Sequence, residues 1–159
     1  MSAIATSALY MVDTSSFTEL PRTYPRPHFA GVWRMVEELV RVERLVSIDE
    51  VLRELEGQDD EIAKWAQRHR KLFLPLDNDV QKRAREILKS HPRLLDLKKK
   101  KSGADPFLIS AATIRGAIVV TQEKKSGGPP ALKIPDVCEA YKVKWMPLLE
   151  MLKAEGLRS

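Results

Sequence analysis

Carboxylates and hydroxyls follow two apolar runs of the sequence, at the points where each run ends. Asp13 follows the run 8–12, and Glu123 follows the run 117–121, which is the clearest strand pattern in the chain. Runs of this composition are typical of strands buried on both faces of a sheet. Ligands of open parallel sheets bind outside the carboxyl ends of the strands, so we expect Asp13 and Glu123 at one edge.

Two further acids belong to predicted helices. Asp105 and Pro106 have the types expected at the N-cap and first residue of an apolar helix that leads into the strand 117–121. Glu54 lies on a helix predicted over 48–56, one turn after Glu50 and beside an apolar stripe. Spacing alone leaves open whether Asp105 and Glu54 reach the sheet edge of Asp13.

Carboxylates that converge in this way would suit a divalent cation. Without one, like charges at close range raise each other's pKa and oppose folding. Oxygen ligands with no paired His or Cys favour Mg²⁺ or Mn²⁺ over zinc. Such an ion polarises a phosphoryl oxygen and lowers the pKa of a bound water, which permits hydrolysis of a phosphodiester. Ser15 and Thr121 could hold a ligating carboxylate or a water in place.

The acid after the first strand also admits simpler or different roles. Asp13 could act only as the N-cap of a following helix. A phosphatase of the haloacid dehalogenase type needs a second Asp two residues after the first, where this chain has Ser15. The sequence also contains no Gly-rich phosphate loop and no nucleophile elbow.

The elements that must position these residues alternate along the chain. We predict strands at 8–12, 44–48, 117–121 and 143–146, the last at a sheet edge. A capping box of Ser47 and Glu50 predicts the start of the helix 48–56, and Asp77 or Asn78 predicts the start of another. The segment 17–20 allows only a short helical turn before three prolines. This alternation predicts one α/β domain over residues 1–159, a three-layer α/β/α sandwich with a mostly parallel sheet.

Charge is unevenly distributed along the chain. The net charge is +5 overall, −7 over residues 36–61 and +9 over residues 64–104. Six lysines could contact phosphates or could simply be solvated: Lys98, Lys99, Lys100, Lys101, Lys124 and Lys125. The single cysteine, Cys138, excludes an intrachain disulfide. With no apolar run long enough to cross a membrane, this predicts a cytoplasmic protein.

Four motifs occur in the order found in PIN domains, and over about its whole length the chain resembles that family. The motifs are Val12-Asp13-Thr14-Ser15-Ser16, Val51-Leu52-Arg53-Glu54-Leu55, the segment 104–111 that contains Asp105, and Val119-Val120-Thr121-Gln122-Glu123. The resemblance implies that Asp13, Glu54 and Asp105 are metal ligands. The fourth acid of the family is usually Asp, and Glu123 at that position implies direct or water-mediated contact. Thr14 or Ser15, and Thr121, match hydroxyl positions near the metal.

PIN domains are metal-dependent nucleases, and many small bacterial ones are VapC-type toxins that cleave RNA. The resemblance therefore implies an Mg²⁺- or Mn²⁺-dependent endoribonuclease, in which Asp13, Glu54, Asp105 and Glu123 are catalytic. It also implies a small antitoxin protein as partner, and homodimerisation is a family expectation. The main alternative is a PIN scaffold with little or no cleavage that binds an antitoxin or nucleic acid. A DNA-directed nuclease or a phosphatase-like enzyme would use the same metal chemistry.

Overall fold

The computed structural model of the chain describes residues 7–58, 60–92, 105–125 and 133–157. Within these ranges, five short strands form one parallel sheet: β1 (Tyr10–Val12), β2 (Leu45–Ile48), β3 (Phe73–Leu74), β4 (Ile118–Val120) and β5 (Trp145–Met146). Their order across the sheet is β3-β2-β1-β4-β5, and every neighbouring pair is parallel. The predicted edge strand at 143–146 is confirmed by β5.

Helices connect successive strands and cover the sheet. They are α1 (Thr14–Thr23), α2 (Ala30–Arg41), α3 (Asp49–Glu56), α4 (Asp60–Arg68), α5 (Asn78–Ser90), α6 (Asp105–Arg115), α7 (Ile134–Ala140) and α8 (Leu148–Ala154). The helices α1, α3 and α4 pack together, and α6 packs against both α5 and α7. This arrangement confirms the predicted three-layer α/β/α sandwich. No helix of the described ranges combines the length and apolar character needed to cross a membrane.

The order of the strands reverses between β1 and β4. The chain moves from β1 outward through β2 to β3, and then returns to the other side of β1 with β4 and β5. Val12 pairs with Val120 in the register, so both strands end at the same level. A crevice outside such a reversal is the usual ligand site of open α/β sheets. The residues that follow Val12 and Val120 therefore lie at this crevice.

Buried hydroxyls fix the carboxyl ends of the central strands. Ser47, fully buried on β2, donates a hydrogen bond of 2.6 Å to the carbonyl oxygen of Val12. Ser16, at the start of α1, donates a bond of 3.1 Å to the carbonyl oxygen of Val120. A buried carbonyl without a donor is destabilising, so the bond from Ser47 stabilises the end of β1. The carbonyl oxygen of Val120 also accepts a bond of 3.0 Å from the amide of Asp13, so Ser16 is its second donor.

Helix α1 is longer than the predicted turn at 17–20. It runs from Thr14 to Thr23 with Pro21 inside it. A proline in a helix costs about 3 kcal/mol, whereas burying Phe17 and Leu20 contributes about 1.5–3 kcal/mol for each side chain. The helix also ends soon after Pro21, so the proline removes only a late backbone bond. Packing against the core therefore outweighs the proline, and the prediction of a short turn was wrong.

Two local predictions at the element ends also need correction, and one short strand was missed. The capping box of Ser47 and Glu50 does not form, because the hydroxyl of Ser47 bonds to β1 and Ile48 is the N-cap of α3. Asp105 is the first residue of α6 and not its N-cap. The two-residue strand β3 was not predicted, since it is too short to show a period. Of the two predicted caps of α5, Asp77 and Asn78, Asp77 is the N-cap, since it accepts a bond of 2.9 Å from the amide of Val80.

A charged cluster joins the last helix to the amino-terminal end of the sheet. Glu155, just after α8, accepts a hydrogen bond from the hydroxyl of Tyr10. The guanidinium of Arg44 donates to both carboxylate oxygens of Glu155, at 3.0 and 2.6 Å, and to the carbonyl oxygen of Ala8 at 2.9 Å. Burial and the neighbouring Glu155 carboxylate raise the pKa of Tyr10 well above its usual value.

We expect Glu155→Gln to lower the free energy of unfolding by about 1–3 kcal/mol, because it removes the charge that balances the partly buried Arg44. Chemical denaturation followed by circular dichroism measures this change. Glu150→Gln is the matched control, since Glu150 forms an exposed pair with Lys153 on α8, and it should change stability by less than about 0.5 kcal/mol. Equal effects of the two substitutions would contradict a stabilising role of the cluster.

Candidate functional site

Asp13 lies directly after β1 and is almost fully buried, with 3% of its surface exposed. It caps α1 by accepting a hydrogen bond of 2.9 Å from the amide of Ser16. The hydroxyl of Ser15 lies 2.8 and 2.9 Å from its two oxygens, and the hydroxyl of Thr121 donates to Oδ2 at 2.6 Å. The carboxylate therefore does more than cap a helix, because both of its oxygens are held.

Burial and a nearby charge favour the protonated form of Asp13, whereas its hydrogen bonds favour the charged form. The pKa is raised to about 6 overall, with burial as the largest cause and the nearby Glu123 carboxylate as a smaller one. The bonds from Thr121, Ser16 and Ser15 favour the charged form and limit the shift. A carboxylate with this balance needs its donors in order to stay charged near neutral pH.

Thr121 connects the ends of the two central strands through its hydroxyl. Its Oγ1 donates to Asp13 after β1 and accepts a hydrogen bond of 3.1 Å from the amide of Glu123 after β4. Ser15 makes a second connection, because its Oγ accepts a bond of 3.0 Å from the amide of Gln122. The structure thus places both predicted hydroxyl residues, Ser15 and Thr121, against Asp13.

Asp105 is the first residue of α6, a helix that packs against β1, β2 and β4. Burial raises the pKa of Asp105 to about 9, and the next causes in size are the charges of Glu123, Asp13 and Glu54. Lys133 lowers it in part. The geometry agrees with this coupling, because Asp13, Asp105 and Glu123 line one cleft and Glu54 is bonded to Thr14 of the same lining. The sequence alone had left the positions of Asp105 and Glu54 open.

Glu123 and Glu54 each accept a hydrogen bond from the start of a helix. Oε1 of Glu123 accepts a hydrogen bond of 2.9 Å from the amide of Ile134, the first residue of α7. Oε1 of Glu54, on α3, accepts a bond of 2.5 Å from the hydroxyl of Thr14 at the start of α1. Both acids are therefore positioned by contacts to helix starts.

These side chains border a cleft of about 350 Å³ at the carboxyl ends of β1 and β4. The acids Asp13, Asp105 and Glu123 line the cleft. Glu54 lies behind Thr14, a lining residue to which it is hydrogen-bonded. The remaining lining residues are Thr14, Ser15, Thr18, Glu19, Arg22, Gln58 and Gln122. The cleft lies where the strand order reverses, as expected for a ligand site in this type of sheet.

Several lining residues were not predicted from the sequence. Thr18 lies within the turn expected at 17–20 and Arg22 lies beyond it, so the predicted turn was too short to align either residue with Thr14 on one helix face. Gln122 accepts a hydrogen bond of 2.8 Å from the amide of Leu148 and so connects the site to α8. A full-length prediction of α1 would have revealed the polar stripe of Thr14, Thr18 and Arg22.

The predicted phosphate-binding lysines are only partly described. Lys98, Lys99, Lys100 and Lys101 lie outside the described residues. Lys124 and Lys125 follow Glu123 and are exposed. Lys125 forms an ion pair of 3.0 Å with Glu139, and both side chains are about half exposed. Such pairs are weak, so Lys125 can exchange Glu139 for another anion at little cost.

The donor set suits a hard divalent cation by chemistry but is spread apart. All four acids offer carboxylate oxygens, the ligands that Mg²⁺ and Mn²⁺ prefer. Among the described residues, no three His, Cys, Asp or Glu side chains are already spaced to hold a metal ion. Their mutual repulsion is a sufficient reason for an open arrangement. Asp13, Glu54 and Asp105 could hold an ion only after closing around it.

The chain belongs to a family that is described as "Domain of unknown function (DUF4411)", whose model matches residues 10–159. Nine chains of known structure match this chain. One is the crystal structure of PAE2754 from Pyrobaculum aerophilum, which shares 17% sequence identity and a TM-score of 0.52. That match covers 97% of this chain and 93% of the other, and it shows a common fold. No curated protein matches the chain.

We expect Asp105→Asn to stabilise the protein in the absence of divalent cations, increasingly so as the pH rises. The folded state raises the pKa of Asp105 from 3.8 to about 9, so folding favours its protonated form. Below about pH 4, Asp105 is protonated in the folded and unfolded states and costs no stability. Between about pH 4 and pH 9, the free energy of unfolding falls as the pH rises. The variant should gain at least ~2 kcal/mol at pH 8, more than the loss of ~0.5–1 kcal/mol from a helix-terminal charge.

Thermal and chemical denaturation in chelator, from pH 5 to pH 9, measures this difference. Asp79→Asn is the matched control, because Asp79 is an exposed acid in the first turn of α5, and it should change stability by less than about 0.5 kcal/mol at each pH. An Asp105→Asn protein that is no more stable than the native chain at pH 8 would argue against convergence of the acids.

Proposed function

We propose that this protein is a PIN-like endoribonuclease that depends on Mg²⁺ or Mn²⁺ and hydrolyses RNA phosphodiester bonds. One observation carries the proposal: Asp13, Asp105 and Glu123 line one cleft at the reversal of the strand order, with Glu54 next to it. Carboxylates gathered in this way oppose folding without a cation. Their position in a cleft therefore favours a functional reason over a structural one.

The roles of the acids follow from how each one is held. Asp13, Glu54 and Asp105 would hold the ion, which when bound polarises a phosphoryl oxygen and lowers the pKa of its water. Glu123 is anchored to the start of α7 through Oε1, so it suits a contact to the ion through its other oxygen or through a water. Thr121 and Ser15 keep the Asp13 carboxylate charged and oriented.

The nature of the substrate is proposed from the family resemblance and the basic residues. Lys124 and Lys125 lie one and two residues beyond Glu123, where they could contact phosphates of a bound strand, as could Lys98, Lys99, Lys100 and Lys101. The resemblance to VapC-type toxins extends the proposal to a toxin that acts on RNA in the cytoplasm. A small antitoxin protein would then be the partner that controls it, and the active form would be a homodimer.

The open spacing of the acids favours a second candidate function. Because no three of the described acids are already arranged to hold an ion, a PIN scaffold that binds RNA or an antitoxin with little cleavage would have the same fold and charges. The two functions differ in one measurable respect. Only the nuclease requires a divalent cation to break the strand.

We expect the native chain to cut structured RNA in Mn²⁺ and to leave it intact in chelator. Asp13→Asn should reduce cleavage at least ~100-fold, because it removes a charge worth several kcal/mol in holding the ion. Asparagine also caps helices well, so α1 should remain folded. Gel electrophoresis of labelled RNA measures cleavage, and circular dichroism verifies the fold of the variant.

The control variant Asp79→Asn should cut RNA at the native rate. Cleavage that persists in chelator, or that is equal in the Asp13→Asn and Asp79→Asn proteins, would point to a contaminating nuclease and refute the proposal. RNA that is bound but never cut would favour the second candidate function. Preferential cutting of single-stranded DNA would keep the metal chemistry and change the substrate.

We also expect Thr121→Val to weaken Mn²⁺ binding about 10- to 100-fold, because it removes the donor that orients Asp13 and the acceptor for the amide of Glu123. Thr121→Ser keeps the hydroxyl and should bind Mn²⁺ within about threefold of the native chain. The shift of the melting temperature with Mn²⁺ concentration measures both affinities. Equal affinities in Thr121→Val and Thr121→Ser would show that the hydroxyl does not position the ligand.

A further inference from the structure

The face of α1 that lines the cleft carries a polar side chain at each of three successive turns. Thr14, Thr18 and Arg22 are four residues apart and therefore lie along one side of the helix. All three line the cleft that also contains Asp13 and Asp105. A polar stripe thus extends from the acids toward the end of α1. We call it the α1 stripe.

The first two residues of the α1 stripe are bonded to the neighbouring helix and the turn after it. Thr14 donates to Glu54 on α3 at 2.5 Å, and Thr18 donates to Oε1 of Gln58 at 2.6 Å. Gln58 follows the end of α3 by two residues and lines the same cleft. These two bonds, one turn apart, hold α1 and α3 together as one wall of the cleft.

Arg22, the last residue of the α1 stripe, differs from the other two in charge and in its contacts. It is exposed, and none of the ion pairs within the described residues includes it. The nearby acid Glu19 accepts a hydrogen bond from Thr23. A guanidinium offers five N–H donors in a planar arrangement that matches phosphate. Arg22 therefore places a phosphate-binding group at the rim of an otherwise acidic cleft.

The length of α1 fixes the distance between the two ends of the stripe. Eight residues separate Thr14 from Arg22, which at 1.5 Å per residue is about 12 Å. Nucleotides in a stacked strand rise about 3.4 Å each, so this distance corresponds to three or four stacked nucleotides and to fewer in an extended strand. A strand with one phosphate at the acids could therefore place a later phosphate at Arg22.

Resting on the nuclease function proposed above, we propose that Arg22 binds a backbone phosphate of the RNA a few nucleotides from the bond that is cut. The α1 stripe is then the wall along which that part of the strand lies. A purely structural role of Arg22, as a cation that stabilises the last turn of α1, accounts for its charge. It does not account for its position on the lining of the cleft.

Binding of uncut RNA separates these two roles. The Asp105→Asn chain serves as the background, because the loss of one ligand charge should prevent cleavage in the presence of Mn²⁺. The probe is a fluorescein-labelled RNA of 12 nucleotides and mixed sequence, and its anisotropy is measured over a series of salt concentrations. Arg22→Ala and Arg22→Lys are compared with Arg115→Ala. Arg115 is an exposed arginine in the last turn of α6, next to the amino-terminal end of β4.

On this background, we expect Arg22→Ala to weaken RNA binding about threefold to tenfold and to reduce the slope of log Kd against log salt by about 0.7, the value for one phosphate contact on a single strand. Arg22→Lys should keep most of the slope, because the charge remains. Arg115→Ala should change neither quantity. A structural role of Arg22 would instead lower the melting temperature and leave the salt slope unchanged.

Equal affinities and slopes for the Arg22→Ala and Arg115→Ala proteins, or no binding of the probe by the Asp105→Asn background chain, would overturn the Arg22 contact. Failure of the proposed function is seen separately, in the cleavage assay on the native chain. If the native chain cuts RNA and Arg22→Ala behaves like Arg115→Ala, the nuclease stands and the Arg22 contact falls. If the native chain never cuts RNA but Arg22→Ala weakens binding, the contact stands and the nuclease falls.

Discussion

The hydrogen bond from Thr121 to Asp13 is the interaction on which the rest of the site depends. It joins the residues that follow β1 and β4, the two strands between which the order of the sheet reverses. The same Asp13 carboxylate caps α1, and the same Thr121 hydroxyl orients the amide of Glu123. This contact of 2.6 Å, together with the bond between Ser15 and the amide of Gln122, therefore ties the start of α1 to the segment after β4.

Asp13 has two roles, because it caps α1 and is also one of the acids that line the cleft. Burial opposes the charge of Asp13, and three donors favour it, with the net result that its pKa is about 6. Asp105 has a higher pKa, about 9, since it is buried near three other acids and Lys133 offsets them only in part. The metal-free fold thus holds one acid by hydrogen bonds and leaves another in an unfavourable environment. A cation bound between these carboxylates would relieve the repulsion that contributes to the raised pKa of Asp105.

The sequence predicted the sandwich, the edge strand and the Asp77 cap, because each depends on local pattern and on the burial of strands. It also placed Asp13 and Glu123 at one sheet edge, since parallel strands end together. It could not place Glu54 and Asp105, because their positions depend on how α3 and α6 pack across the sheet. It missed the length of α1, where the burial of Phe17 and Leu20 outweighs Pro21. It assigned Ser47 to a capping box, whereas the hydroxyl bonds to the neighbouring strand, a contact that local sequence does not encode.

The helix α1 combines these local and long-range effects. An acid at its start and a cation in its last turn are both favoured by the helix dipole, so Asp13 and Arg22 could be explained by the stability of α1 alone. The dipole acts along the axis, however, and is indifferent to which side of the helix a residue occupies. Thr14, Thr18 and Arg22 share the side that faces the cleft, and two of them are bonded to Glu54 and Gln58. Helix stability does not select that side, whereas a ligand that lies along the cleft would.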